Sequence, residues 1–74
     1  MVCALFKRAP VVIGVYDIQG QKIATLFQDV AGAGSYVMYW DGQDDKGEPV
    51  SSGVYLYALR GEGISLVRKM VLLR

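Results

Sequence analysis

Apolar residues in this chain recur at every second position, in short runs punctuated by glycine and aspartate. That period belongs to strands and not to helices. The run from Trp40 to Tyr55 shows it most compactly: an aromatic strand end, an acidic turn (Asp41-Gly42-Gln43-Asp44-Asp45-Lys46-Gly47-Glu48) and a Gly53-Val54-Tyr55 strand start follow without interruption. Elsewhere Val11, Ile13 and Val15 share one face of a β-branched run, and Tyr36, Met38 and Trp40 share one face of another. From Gly53 to Arg60, Tyr55, Tyr57 and Leu59 alternate with Val54, Leu56 and Ala58, so both faces are apolar. Such a strand belongs in the middle of a sheet or under a neighbour. No segment of convincing length has the helical period, and the chain is expected to be all-β.

The turns fix the order of strands. Asp17-Ile18-Gln19-Gly20 predicts a tight turn, with Asp as side-chain acceptor and Gly supplying positive φ. In the strand that follows, Gln21 to Phe27, Ile23 and Leu26 are three apart, which predicts a bulge or strong twist. Ala31-Gly32-Ala33-Gly34 is a small-residue connection, Pro49 fits a loop or sheet edge, and Gly61-Glu62-Gly63 predicts a hairpin onto a last strand, Ile64 to Leu72. Five strands so connected predict a small antiparallel β-sandwich or an open barrel over residues 11–74, and the sandwich is the expectation taken here. Its expected core is Val11, Ile13, Val15, Ile23, Leu26, Met38, Trp40, Tyr55, Tyr57 and Leu59. Residues 1–10 offer at most a scrap of a sixth strand around Ala4 to Phe6, with Cys3 expected in a disordered end. An unpaired sheet edge recruits another strand, so self-association is a further expectation.

Composition removes several functions. A chain of 74 residues makes one small domain with a marginal core. A net charge of +1 gives no field for nucleic acid. One cysteine and no histidine exclude an internal disulfide and a zinc site. Met1 to Phe6 is too short, and Lys7-Arg8 are on the wrong side, for a secretory signal. No apolar run reaches the ~18 residues of a membrane helix, so no membrane insertion is expected.

Candidate chemistry is thin. Asp41, Asp44, Asp45 and Glu48 could supply oxygen ligands to calcium, but an EF-hand loop starting at Asp41 would need Gly at Lys46 and Glu at Ser52. A turn in which the aspartates accept backbone amides is the better reading. The same carboxylates have no substrate cleft to act across as an acid/base pair. Without histidine, no serine gains a general base of the usual kind. Gly32-Ala33-Gly34 imitates the start of a dinucleotide turn, but neither a helix nor the third glycine follows. No catalysis, cofactor or metal is expected. Tyr16, Tyr36, Tyr39, Trp40, Tyr55 and Tyr57 could form a sugar-stacking platform, yet their alternation with aliphatics favours core and cross-strand roles, leaving Tyr16 and Tyr39 as the exposed pair.

Taken in order, Val15-Tyr16-Asp17, Gly20, Leu26, Gly34, Trp40-Asp41-Gly42, Asp44, Gly47, Val50, Ser52-Gly53-Val54-Tyr55, Tyr57, Leu59 and Lys69-Met70-Val71-Leu72 resemble the FlgD-type immunoglobulin-like family. They equally resemble the C-terminal sorting domains of the type IX secretion system. The resemblance implies a secreted or cell-surface immunoglobulin-like sandwich that forms part of a longer bacterial protein. Members usually open with an Asn-Pro-Phe-like motif and a first strand, and Leu5-Phe6 is its only remnant here. That implies a missing first strand, residues 1–10 as a poorly ordered start or its remnant, and Met1 as an internal start or fragment boundary.

Two functions follow from the resemblance. In the first, the domain is a sorting signal that exports an upstream passenger, read by the secretion machinery through Arg68, Lys69, Met70, Val71, Leu72, Leu73 and Arg74. In the second, it is a structural or adhesive module that contacts a neighbouring domain or protein through a sheet edge, with Lys and Arg guarding the last strand.

Overall fold

The β-branched run from Val11 to Val15 becomes the middle of the molecule, because its neighbours on both sides carry complementary apolar faces. The computed structural model describes residues 2–73, with side chains from residue 4 onward. They form β1 (Val2–Leu5), β2 (Ala9–Asp17), β3 (Lys22–Ala31), β4 (Gly34–Val37), β5 (Gly53–Gly61) and β6 (Ile64–Leu72). One sheet has the order β3-β2-β5-β6 and the other consists of β1 and β4. All pairings are antiparallel. The chain is an all-β, immunoglobulin-like β-sandwich.

Ile13 pairs with Leu59 and Val15 with Tyr57 across β2 and β5, which puts these residues on the inner face. Ile13 and Val15 are the most completely buried large side chains. Around Ile13 gather Leu5, Val11, Ala31 and Leu59, with Tyr36 and Met38 against them. Around Val15 gather Ala24 and Tyr55, with Trp40, Val50 and Met70 against them. Leu26 packs on both groups and joins them into one core.

Two register shifts explain the broken alternation of β3. Between Ile13 and Gly14 the partner jumps from Phe27 to Thr25, and between Val15 and Tyr16 from Ala24 to Lys22. The residues passed over are Leu26 and Ile23, the pair whose spacing predicts a bulge. Both pack on the core, so the bulges add inward-facing side chains that strict pleating would turn outward.

Several expectations need correction. Val2–Leu5 is a strand paired with β4, so Cys3 lies opposite Tyr36 and not in a disordered end. That pairing makes six strands instead of five, and β2 begins at Ala9 instead of Val11. The strand expected from Ser35 to Asp41 is β4, Gly34–Val37, and its last pair among the described residues is Val37 with Val2. Met38 and Trp40 still turn to the core, half-buried. Tyr57 is half-buried and belongs to neither core group. Tyr16, expected to be exposed, is half-buried because its ring lies over Gly14, while Tyr39 is 88% exposed.

Tyr57 lines a cleft beside β6. Two strands face four, and the cover ends before β6, which has no fully buried residue. Ile13→Ala should therefore cost about 2–5 kcal/mol, comparable to the total that so small a core supplies. Tyr57→Ala should cost clearly less. Urea titration of both variants checks this ranking, and equal losses would place Tyr57 in the core.

Candidate functional site

The acidic run folds into a turn whose wiring repeats that of the first hairpin. Asp17 Oδ1 accepts the backbone N–H of Gln19 and of Gln21, each at 2.9 Å. Gly20 N donates to Asp17 O at 3.0 Å, and Asp17 N donates to Gln21 O at 3.0 Å. Asp44 does the same: its Oδ1 accepts Lys46 N at 2.9 Å and Glu48 N at 3.0 Å. Gly47 N donates to Asp44 O at 2.9 Å, and Asp44 N to Glu48 O at 2.8 Å. Both turns place glycine at positive φ, 88° at Gly20 and 81° at Gly47, where a side chain would be strained.

The acidic loop is also docked. Asp45 Oδ1 accepts Thr25 N at 2.8 Å, and Asp45 N donates to Ile23 O at 3.2 Å. These are edge groups of β3, between its two bulges, so the loop caps one side of the larger sheet. Asp41 Oδ1 accepts Gln43 N at 3.0 Å, and Val50 N donates to Gly42 O at 2.9 Å. Trp40 Nε1 donates to Gln43 O at 2.8 Å. Three aspartates thus use Oδ1 on backbone amides, as the turn reading requires. Among the described residues no three acidic, cysteine or histidine side chains converge on a metal position.

Aromatic residues brace the same end. The Trp40 and Tyr55 rings meet edge to face, centroids 5.0 Å apart. Tyr55 Oη donates to Ser51 O at 2.6 Å, and Tyr36 Oη donates to Gly32 O, each reaching four residues back. A tyrosine tethered to upstream backbone fixes the corner at which a strand begins.

The opposite edge of the larger sheet is β6. Gly61 pairs with Ile64 across a two-residue turn, so even-numbered β6 residues bond to β5. Ser65, Val67, Lys69 and Val71 consequently direct their N–H and C=O groups away from the sheet. Beside this edge, between the layers, is a cleft of about 360 Å³ lined by Met38, Trp40, Tyr57, Met70 and Leu72 among others. Lys69 also borders it. Arg68 and Lys69 are exposed on opposite faces, and Arg68 Nη1 donates to Val67 O at 3.0 Å. Neither has an acidic partner among the described residues.

The residues singled out from sequence therefore fall into two groups. Arg68, Lys69, Met70, Val71 and Leu72 lie along the β6 edge, Leu73 follows it exposed, and Arg74 is outside the described residues. Tyr16, Asp17 and Gly20 end β2 and its turn, and Gly34 opens β4. Trp40, Asp41, Gly42, Asp44 and Gly47 form the loop, and Gly53, Val54 and Tyr55 open β5. Asp17 pairs with Tyr55, which brings the two turns to one end of the sandwich. Sequence reasoning missed the Asp45 clamp and the cleft. The clamp is a contact between residues 20 apart that leaves no local signal.

Asp45→Ala should lower stability by about 1–2 kcal/mol and unprotect the Thr25 amide in hydrogen exchange. Millimolar calcium should leave the melting temperature of the parent unchanged, and a rise of several degrees would reverse the turn reading.

Comparison with known proteins agrees with the architecture. The chain matches the FlgD Ig-like domain family over residues 6–63, from the β1–β2 link to the β5–β6 turn. No curated protein and no solved structure matches it. With the match spanning most of the chain and the sandwich in place, the chain belongs to the FlgD Ig-like domain family.

Proposed function

We propose that this domain is a non-catalytic immunoglobulin-like module that makes protein–protein contacts through the open edge of β6. The observation that carries the reading is the difference between the two edges of the larger sheet. The β3 edge is capped by Asp45 at Thr25, whereas β6 directs backbone donors and acceptors outward beside the cleft, with Val67 O alone among them covered, by its neighbour Arg68. Strand addition satisfies such groups while side chains fill the cleft. The lack of histidine and the use of aspartates in turns favour a module without catalysis, cofactor or metal. The family resemblance favours a secreted or cell-surface setting within a longer protein.

A sorting role for Arg68 to Arg74 has less behind it. The family match ends at residue 63, before this strand, and speaks only for an Ig-like module. Arg68 and Lys69 serve equally well as charges on a contact edge.

Proline separates the edge from the ladder. At Val67 and Val71 the lost N–H points outward, so Val67→Pro and Val71→Pro should keep the sheet folded, whereas Met70→Pro should unfold it. Peptides selected from a random display library on the parent domain should lose binding to the Val67→Pro and Val71→Pro variants, whose melting curves stay cooperative. Binders indifferent to both prolines, or a selection that yields none, would overturn the edge reading.

A further inference from the structure

We infer that the β6 edge takes an extended segment with two adjacent carboxylates next to an apolar triplet. This rests on the edge reading above and names the chemistry of its occupant.

The basis is the pattern along β6. Val67 is followed by Arg68 and Lys69, then by Met70, Val71 and Leu72. Residues directly opposite in a sheet interact, with unlike charges and apolar pairs favoured and like charges opposed. An added strand therefore meets two cations side by side, one on each face and flanked by apolar positions. Neither has an acidic partner among the described residues, Arg68 donating only to the backbone oxygen of Val67. Carboxylates opposite Arg68 and Lys69 neutralise both. Apolar residues opposite Met70 and Leu72 point into the gap between the layers, where the cleft beside Trp40 and Tyr57 has room for them. An apolar residue opposite Val71 extends the outer face, where Val54 and Val71 pair and are both exposed. Antiparallel addition, the slightly more stable arrangement, makes the segment read apolar-apolar-apolar-acidic-acidic-apolar.

A second copy of this chain is a poor occupant. The antiparallel register that pairs all of β6 with itself puts Arg68 against Arg68. No strand of this chain carries two adjacent carboxylates; the adjacent pair Asp44-Asp45 is tied into the capping turn. The charge pattern points to a segment of different sequence.

The test uses peptides with a Leu-Val-Leu-Glu-Glu-Val centre, the same peptide with Gln for Glu, and one with Lys for Glu. Trp40, the only tryptophan and a lining residue of the cleft, reports binding by fluorescence, and calorimetry gives the affinity. The Glu peptide should bind about two- to thirty-fold more tightly than the Gln peptide, the effect of two opposite-charge pairs. The advantage should shrink with added salt, and R68E/K69E should transfer it to the Lys peptide. Val71→Pro should abolish binding of all three. Equal binding of the Glu and Gln peptides overturns the acidic preference and leaves the edge reading intact. Binding that survives Val71→Pro overturns both. Failure of every peptide to bind overturns the proposed occupant, as does a dimer in sedimentation that Val71→Pro dissolves, which would make a second copy the occupant.

Discussion

Strands in a sheet lie about 4.8 Å apart, so four of them present an inner face about twice as wide as two can cover. That mismatch governs where this small domain is solid and where it is open. Burial is greatest over β2 and β5, where Ile13, Val15 and Leu59 exclude water almost completely. Towards β6 the cover runs out, and Met70 and Leu72 remain half-buried on the face that would otherwise be core. The cleft follows from the strand count. It is not an accident of side-chain size.

The two edges of the larger sheet meet the hazard of unpaired backbone in different ways. At β3, two bulges swing Ile23 and Leu26 inward and leave the stretch around Thr25 to a side-chain clamp from Asp45. A strand broken by bulges and covered by a loop is a poor template for addition. At β6 the strand pairs in register along its whole length, and only Arg68 and Lys69 discourage indiscriminate pairing. Charges in that position repel another basic strand and attract an acidic one, so edge protection and the recognition we propose have the same electrostatic origin.

What the sequence made legible follows the range of the interactions involved. β2, β5 and β6 are visible because each alternates over its own length, and the β3 bulges are visible because Ile23 and Leu26 sit three apart. The turn at Asp17 is local and equally plain. β1 is different: Val2–Leu5 is four residues without alternation, and it is a strand only because Gly34–Val37 lies beside it. Met38 and Trp40 keep the expected face beyond Val37, the last residue of β4, since both pack on the core. Tyr57 alternates as a core residue should, yet it is half-buried because it borders the cleft, which no local pattern announces. Of the site, the residues of β6 were legible and the cleft was not, because the cleft depends on what fails to cover that strand.

Trp40 links the capped edge to the open one. Its Nε1–H holds the acidic loop at Gln43 O, and that loop carries the Asp45 clamp to β3. Its ring rests edge-on against Tyr55, packs on the group around Val15, and lines the cleft beside β6. The loop at one edge therefore fixes the position of a cleft wall at the other. Both Asp turns serve the same end, since the register that pairs Asp17 with Tyr55 sets the first hairpin next to the ring on which Trp40 leans. The acidic residues that look most like a site are the scaffold. The contact surface we propose is the plainer strand they help to position.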